Sequence, residues 1–366
     1  MRGPGRCDFP GLEGQGEVIG ISVSPAALSD LDSSDELLQT GWWGSFKQSH
    51  GWLAHPFRVT VTSPAAATFG LLVLSRTLLR RFVIAYVPFG PTFDPVCGRG
   101  EFLSSLAGAL RPCLPPATLF LRFDLPWEKA GEKPCGEGGN SAEKSPDDIQ
   151  PPSTVVVDIS GDPGKILSGM KSKTRYNVRL AEKKGVTVKE EGEESLDAWY
   201  AMYQETSRRD RIAIHSPSYY KGLLSAGRTY PGARPVVSLL TAWHDGDRLA
   251  GNICIFWKKR GVYLTGASTN AKRNLMPTYA LQWAAIKKAK EAGCTEYDLY
   301  GIPPSPDEDH PMFGLYQFKT GFSDRILERW GTWDVPYRRG MFSLYRAAER
   351  ARLFYYRTVR KRLRLG

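Results

Sequence analysis

The residues of this chain best placed to do chemistry are its cations. Lys171, Arg175 and Arg179 recur at a spacing of four with Lys173 beside them, which on a helix makes one basic row. Residues 337–366 hold ten Arg or Lys, Arg360 and Lys361 among them, and a single acid, Glu349. Tyr345, Phe354, Tyr355 and Tyr356 interleave with these arginines. Mixed basic and aromatic residues suit nucleic-acid phosphates, an anionic membrane surface, or a solvated helix packed back on the body, and the pattern alone leaves the three open. Because the tail carries most of the formal net charge of +11, the rest of the chain is not a general polyanion binder.

Other chemistries lack their residues. The five histidines, His50, His55, His215, His244 and His310, are scattered without metal-ligand spacing, so no metal site is expected. No G-x-S-x-G turn and no recognisable Cys/His pairing offers a nucleophile. The six cysteines form no C-x-x-C pair, and free thiols fit a reducing compartment. The Gly/Pro-rich start lacks the apolar core of a signal peptide, and the apolar run 69–74 is too short to cross a bilayer. The expectation is a cytoplasmic protein, with the tail as a contact to the inner face of the plasma membrane.

A chain of 366 residues predicts about two domains. One order of elements occurs twice. Strands are predicted over 57–62, 68–74 and 82–86, then a helix over 101–110 and a strand over 118–125. The order recurs as strands over 236–243, 249–257 and 261–265, a helix over 278–292 and a strand over 296–300. His244-Asp245-Gly246-Asp247 is a good hairpin connector, and Leu281, Ala285 and Ala289 recur at four-residue steps. Asp162-Pro163 opens a helix expected to run to Gly185, with Leu167, Tyr176 and Leu180 opposite the basic row. Residues 1–16 read as a flexible leader and 126–153 as a disordered loop poor in apolar residues.

Three strands, a helix and a strand, occurring twice, predict an α/β fold of tandem duplicated acyltransferase (GNAT-like) domains, with mixed sheets flanked by helices. The expected division is 17–160 plus 327–366, including a basic C-terminal helix over 337–366, against 161–326.

Several segments go beyond generic pattern. MKSKTRYNVRLAEKKGV, RNLMPTYALQWAAIKKAKEAGCTEYDLYGIPP and DHPMFGLYQFKTGFSDR, in that order, resemble the FemABX family. So do LLQTGWWGSFK, YVPFGPTFD and ETSRRDRIAIHSPSYY. The chain has no long antiparallel helical insertion, so it is similar to the compact members. The resemblance implies a non-ribosomal aminoacyltransferase. It would move an amino acid from aminoacyl-tRNA to the stem-peptide amine of UDP-MurNAc-pentapeptide or lipid II. Such an ester is already activated, so the reaction needs positioning and charge stabilisation, with no cofactor.

The resemblance places Phe318-Lys319 at the reacting centre. Lys319 would stabilise the developing oxyanion or the departing ribose oxygen, and Phe318 would pack beside the tRNA terminus or shape the acceptor channel. Read locally, the same residues are a strand and turn with an exposed lysine. Lys47 and Arg209 match family positions and are candidates for the acceptor diphosphate, although Arg209 equally suits an ion pair with Asp210 or Glu205. Tyr86 and Asp94 flank the rigid corner Pro88-Phe89-Gly90-Pro91 as substrate-binding candidates, with a turn-capping role as the plainer reading of Asp94. Tyr263 would line the second cavity or sit in core. Lys171, Lys173, Arg175, Arg360 and Lys361 are the candidates for tRNA or membrane contact.

Two rivals share these features. An acyl-CoA N-acyltransferase has the same unit, but Arg273-Asn274-Leu275-Met276-Pro277-Thr278 lacks the glycines of a pyrophosphate turn and Pro277 removes a donor. A non-catalytic RNA- or membrane-binding protein would explain the tail.

Overall fold

A computed structural model describes residues 19–63, 66–96, 98–129, 142–210, 212–303, 306–310 and 312–355. The first half comprises β1 (Ile21–Pro25), α1 (Gly41–Gln48), β2 (Leu53–Val61), β3 (Ala67–Leu78), β4 (Phe82–Val87), α2 (Arg99–Leu110) and β5 (Thr118–Glu128). Then come β6 (Glu143–Lys144), β7 (Ser153–Asp158), α3 (Pro163–Gly169), α4 (Ser172–Lys183), β8 (Thr187–Glu191), α5 (Leu196–Asp210) and α6 (Pro217–Thr229). The second half continues as β9 (Val236–His244), β10 (Asp247–Trp257), β11 (Arg260–Ser268), α7 (Pro277–Glu291) and β12 (Glu296–Gly301). It closes with α8 (Phe313–Lys319), β13 (Ile326–Pro336) and α9 (Arg339–Phe354).

The duplicated order is present. β2, β3 and β4 are antiparallel, and after α2 the strand β5 pairs parallel with β4. β9, β10 and β11 repeat this, and after α7 the strand β12 pairs parallel with β11. The two units form one mixed sheet in the order β1-β2-β3-β4-β5-β13-β7-β12-β11-β10-β9-β8. β13 makes the join: Ile326–Glu328 pair with β7, and Gly331–Pro336 pair with β5. The switch falls between Glu328 and Arg329, which already pairs with Glu128 of β5, and a bulge follows whose Gly331 has φ +72°; a Cβ there would collide with the Asp148 carboxylate.

Strand period explains the layers. In β3, Leu71 and Val73 face the α2 core while Leu72 and Leu74 face the opposite side. In β10, Cys254 and Phe256 face α7 while Ile253 and Ile255 face the other way. Leu72, Leu74, Ile253 and Ile255 meet in one cluster with Trp42, Phe46, Trp199 and Tyr220, so α1, α5 and α6 fill the space between the units. Strands covered on both faces read as unbroken apolar runs, as 69–74 does.

Four local expectations change. The helix expected over 162–185 is two helices, broken where Met170 and Lys171 turn extended. The break buries Met170, and the Arg175 guanidinium caps the freed carbonyls of Ser168 and Met170. Restarting at Ser172 also re-phases α4: Thr174, Asn177, Val178 and Ala181 are buried, while Tyr176 is exposed. Residues 126–153 are not a disordered loop throughout. Residues 126–128 belong to β5, β6 pairs with β13, and 145–150 bond to Thr332 and Asp124; 130–141 lie outside the described residues. The Phe318-Lys319 segment is the end of helix α8, not a strand, and Lys319 is buried rather than exposed. The expected leader 1–16 and the tail beyond 355, with Arg360 and Lys361, also lie outside the described residues.

Candidate functional site

Lys319 ends α8 inside the fold because the next turn is held tightly. Thr320 Oγ1 donates to the Tyr316 carbonyl, and the Lys171 N–H donates to the Gly321 carbonyl at 2.9 Å. A Cβ on Gly321 would strike the Thr174 hydroxyl, so the basic helix α4 can sit directly against this turn. The Lys319 ammonium, 4% exposed as a residue, donates to the Gly301 carbonyl at 2.8 Å and lies 5.3 Å from the Tyr263 ring centre. Burial pushes its pKa down to about 7, against the opposing pull of Asp298. Phe318 packs edge-on against Tyr279 and Phe322.

These residues line a cavity of about 810 Å³ with Arg209, Tyr263 and the start of α7. Arg209 is committed to local partners: both oxygens of Asp210, Ser268 and the Asn270 side chain. In the same wall Asn252 is buried, and its Nδ2 has no hydrogen-bond partner among the described residues. An unpaired buried donor facing a cavity is available to a ligand.

Lys47 stands in a second cavity of about 960 Å³. Its ammonium lies 5.5 Å from the rings of Trp43 and Trp52 and 5.7 Å from that of Tyr219. Burial and then the nearby Arg76 lower its pKa to about 8. Tyr86 lines this cavity and donates to Asp124 at 3.0 Å. Burial raises Asp124 to about 7, opposed by the hydrogen bonds from Tyr86 and Thr332.

The two cavities share a wall made of Tyr203, Leu264, Thr265 and Tyr300. Tyr300 is the best-anchored of these. Its backbone has φ +62°, its N–H donates to Asp298 at 2.7 Å, and its hydroxyl bonds Gln150. Asp298 also accepts from Thr154 and from Arg329, the latter at 3.1 Å in a buried ion pair.

The structure thus separates two residues that the sequence grouped. Lys47 and Arg209 line different cavities and do not converge on one diphosphate. Asp94 lines neither cavity: both its oxygens bind Arg99, and it caps the Val96 N–H. Lys171 and Lys173 are exposed at the start of α4, outside both cavities. Asn252, Gln150, Tyr300 and Asp298 were missed. The one legible signal of this kind was Asp124, an acid inside the apolar strand LFLRFDL.

The FemAB family model matches residues 140–230 and 241–350, more than half of the chain. The chain belongs to the FemAB family. Curated relatives of this FemAB protein include the "Lipid II:glycine glycyltransferase" of Staphylococcus saprophyticus, 25% identical over an alignment of 247 positions that covers 52% of this chain and 60% of that one. The protein of the same name from Staphylococcus aureus is 22% identical over an alignment of 262 positions that covers 55% of this chain and 62% of that one. The match therefore spans less than two thirds of these relatives. Among solved structures, that of FemX shares the fold with a TM-score of 0.72 at 20% identity, over 87% of this chain and 97% of that one.

Proposed function

We propose that this FemAB protein is an aminoacyltransferase of peptidoglycan assembly, carrying an amino acid from aminoacyl-tRNA to the stem-peptide amine of a precursor. The observation that carries the reading is the pair of adjoining cavities with a lysine in each, buried Lys319 on one side of Tyr300 and half-buried Lys47 on the other. Two large anionic substrates can then enter from separate sides and meet at the shared wall.

The amine nitrogen bonds to the ester carbonyl carbon as the bond to the ribose oxygen breaks, and the amine proton leaves with that oxygen. Lys319 is the candidate for holding negative charge on the carbonyl or ribose oxygen. With a pKa near 7 it is partly protonated at neutral pH, and its ammonium form is the one that meets that charge. Lys47, walled by aromatic rings, is the candidate for the acceptor phosphates. The relatives' names favour lipid II over UDP-MurNAc-pentapeptide as that acceptor. The basic start of α4, hydrogen-bonded to the turn after Lys319, is suited to the tRNA backbone. No helix among the described residues is long and apolar enough to cross a membrane, and a position at the inner membrane face fits a lipid-linked acceptor.

Acyl-CoA chemistry is disfavoured at α7, where Pro277 occupies the first turn and Met276 before it is left-handed, so a pyrophosphate meets fewer N–H donors. The test is direct: purified protein, charged tRNA and a precursor with a free stem-peptide amine should give a product heavier by one amino-acid residue. Acylation from acetyl-CoA with none from any charged tRNA would reverse the reading.

A further inference from the structure

The helix α9 has two unlike faces. One is packed: Phe342 and Tyr345 lie 5.1 and 4.9 Å from Phe120 between ring centres, and Glu349 pairs with Arg122 at 2.9 Å. The opposite face is apolar, and none of the described residues covers it. Leu344, Ala347, Ala351 and Phe354 follow at steps of three, four and three, which aligns them in one stripe. All four are exposed, Leu344 by 65% and Phe354 by 63%. Arg339 and Arg350, also exposed, border the stripe. The sole acid of α9, Glu349, is on the packed face, and the sequence continues with Arg357, Arg360, Lys361, Arg362 and Arg364.

We infer that the outer face of α9 is a docking surface for an anionic bilayer. An apolar stripe flanked by arginines is the composition of an interfacial helix: the apolar side chains enter the headgroup boundary while guanidinium groups meet lipid phosphates. The helix already covers its own core with Phe342, so the stripe is surplus to folding. Nucleic acid would engage the arginines but gives no reason for uncovered Leu344 and Phe354 between them, and the stripe decides for lipid. The same helix walls the Lys47 cavity through Tyr345, Ala348 and Leu353. Docking therefore brings that cavity to the lipid surface, where a lipid-linked acceptor lies. This last step rests on the aminoacyl-transfer reading; the docking itself does not.

The test sediments the full chain with vesicles of phosphatidylcholine alone and with vesicles containing phosphatidylglycerol. Binding is expected to the mixed vesicles, weakened about tenfold or more in Leu344→Glu/Phe354→Glu and made less sensitive to phosphatidylglycerol in Arg339→Ala/Arg350→Ala. Thermal unfolding of these exposed-site variants should match wild type, and tRNA binding should persist in Leu344→Glu/Phe354→Glu. Wild-type protein that ignores mixed vesicles, or binds them equally with both glutamates in place, or binds tRNA alone, overturns the proposal. Transfer to a nucleotide-linked acceptor in solution should be unchanged in Leu344→Glu/Phe354→Glu, while transfer to a vesicle-embedded acceptor falls. Vesicle binding without transfer to either acceptor would sink the transfer reading and leave the docking surface standing.

Discussion

The Lys319 ammonium is held 2.8 Å from the carbonyl oxygen of Gly301, one residue after the left-handed Tyr300 that separates the two cavities. A lysine this deep is costly when charged and is tolerated because a backbone acceptor, an aromatic face and the carboxylate of Asp298 surround it. That environment is expensive for folding and useful for meeting an anion.

Replacing Lys319 should therefore separate activity from stability. Lys319→Met is expected to lower kcat/KM about a hundredfold, the usual loss for one charge-stabilising donor. Its folded-state pKa of about 7 lies below the ordinary 10.5, so between those values the unfolded chain holds the extra proton. The lysine's contribution to stability thus rises with pH across that window, and its penalty is complete below about 7. Thermal unfolding should find Lys319→Met stabilised by about 2 °C or more at pH 6, with the difference shrinking by pH 10. A variant equally active, or destabilised most at pH 6, would contradict this.

Lys47 should govern acceptor affinity. Lys47→Ala is expected to raise the acceptor KM about tenfold or more with a smaller effect on kcat, as loss of a desolvated cation predicts. In wild type the charged form prevails below about pH 8, so acceptor binding should weaken as pH rises through that value. Titration of the acceptor by fluorescence quenching of Trp43 and Trp52 at several pH values gives the reading, and a flat profile refutes it.

Asn252 offers a cleaner probe of the Lys319 cavity. Its buried Nδ2 has no partner among the described residues, so Asn252→Leu should leave the fold as stable as wild type or up to about 1 kcal/mol more stable. Donor KM should rise if that nitrogen binds the aminoacyl end. Denaturant unfolding and donor kinetics together decide; a large loss of stability would mean the amide is satisfied internally.

Asp298→Ala should damage the join between the units. It strands Arg329, 3% exposed, and releases the Thr154 hydroxyl and the Tyr300 N–H. Breaking one partner out of a buried pair costs about 3–5 kcal/mol, to be read as a lower urea midpoint. Lys319 should be left without the opposing carboxylate, and activity should fall further than folding alone explains.

The amino-acid sequence by itself determined the repeated order of strands and helices, the hairpin at Asp245-Gly246 and the inner face of α7, because period, turn residues and caps act within a few residues of one another. It placed Lys47 and Lys319 among the candidates through the segments around them. Only the tertiary structure decided that α8 is helical with its lysine inward, that Lys47 and Arg209 occupy different cavities, and that β13 changes partners between Glu328 and Arg329. These depend on contacts between segments hundreds of residues apart, such as Thr332 with Asp124 and Arg122 with Glu349. Local periodicity reports which face of an element is apolar; it carries no record of which distant chain will cover that face, or of the cavity left where two covers meet.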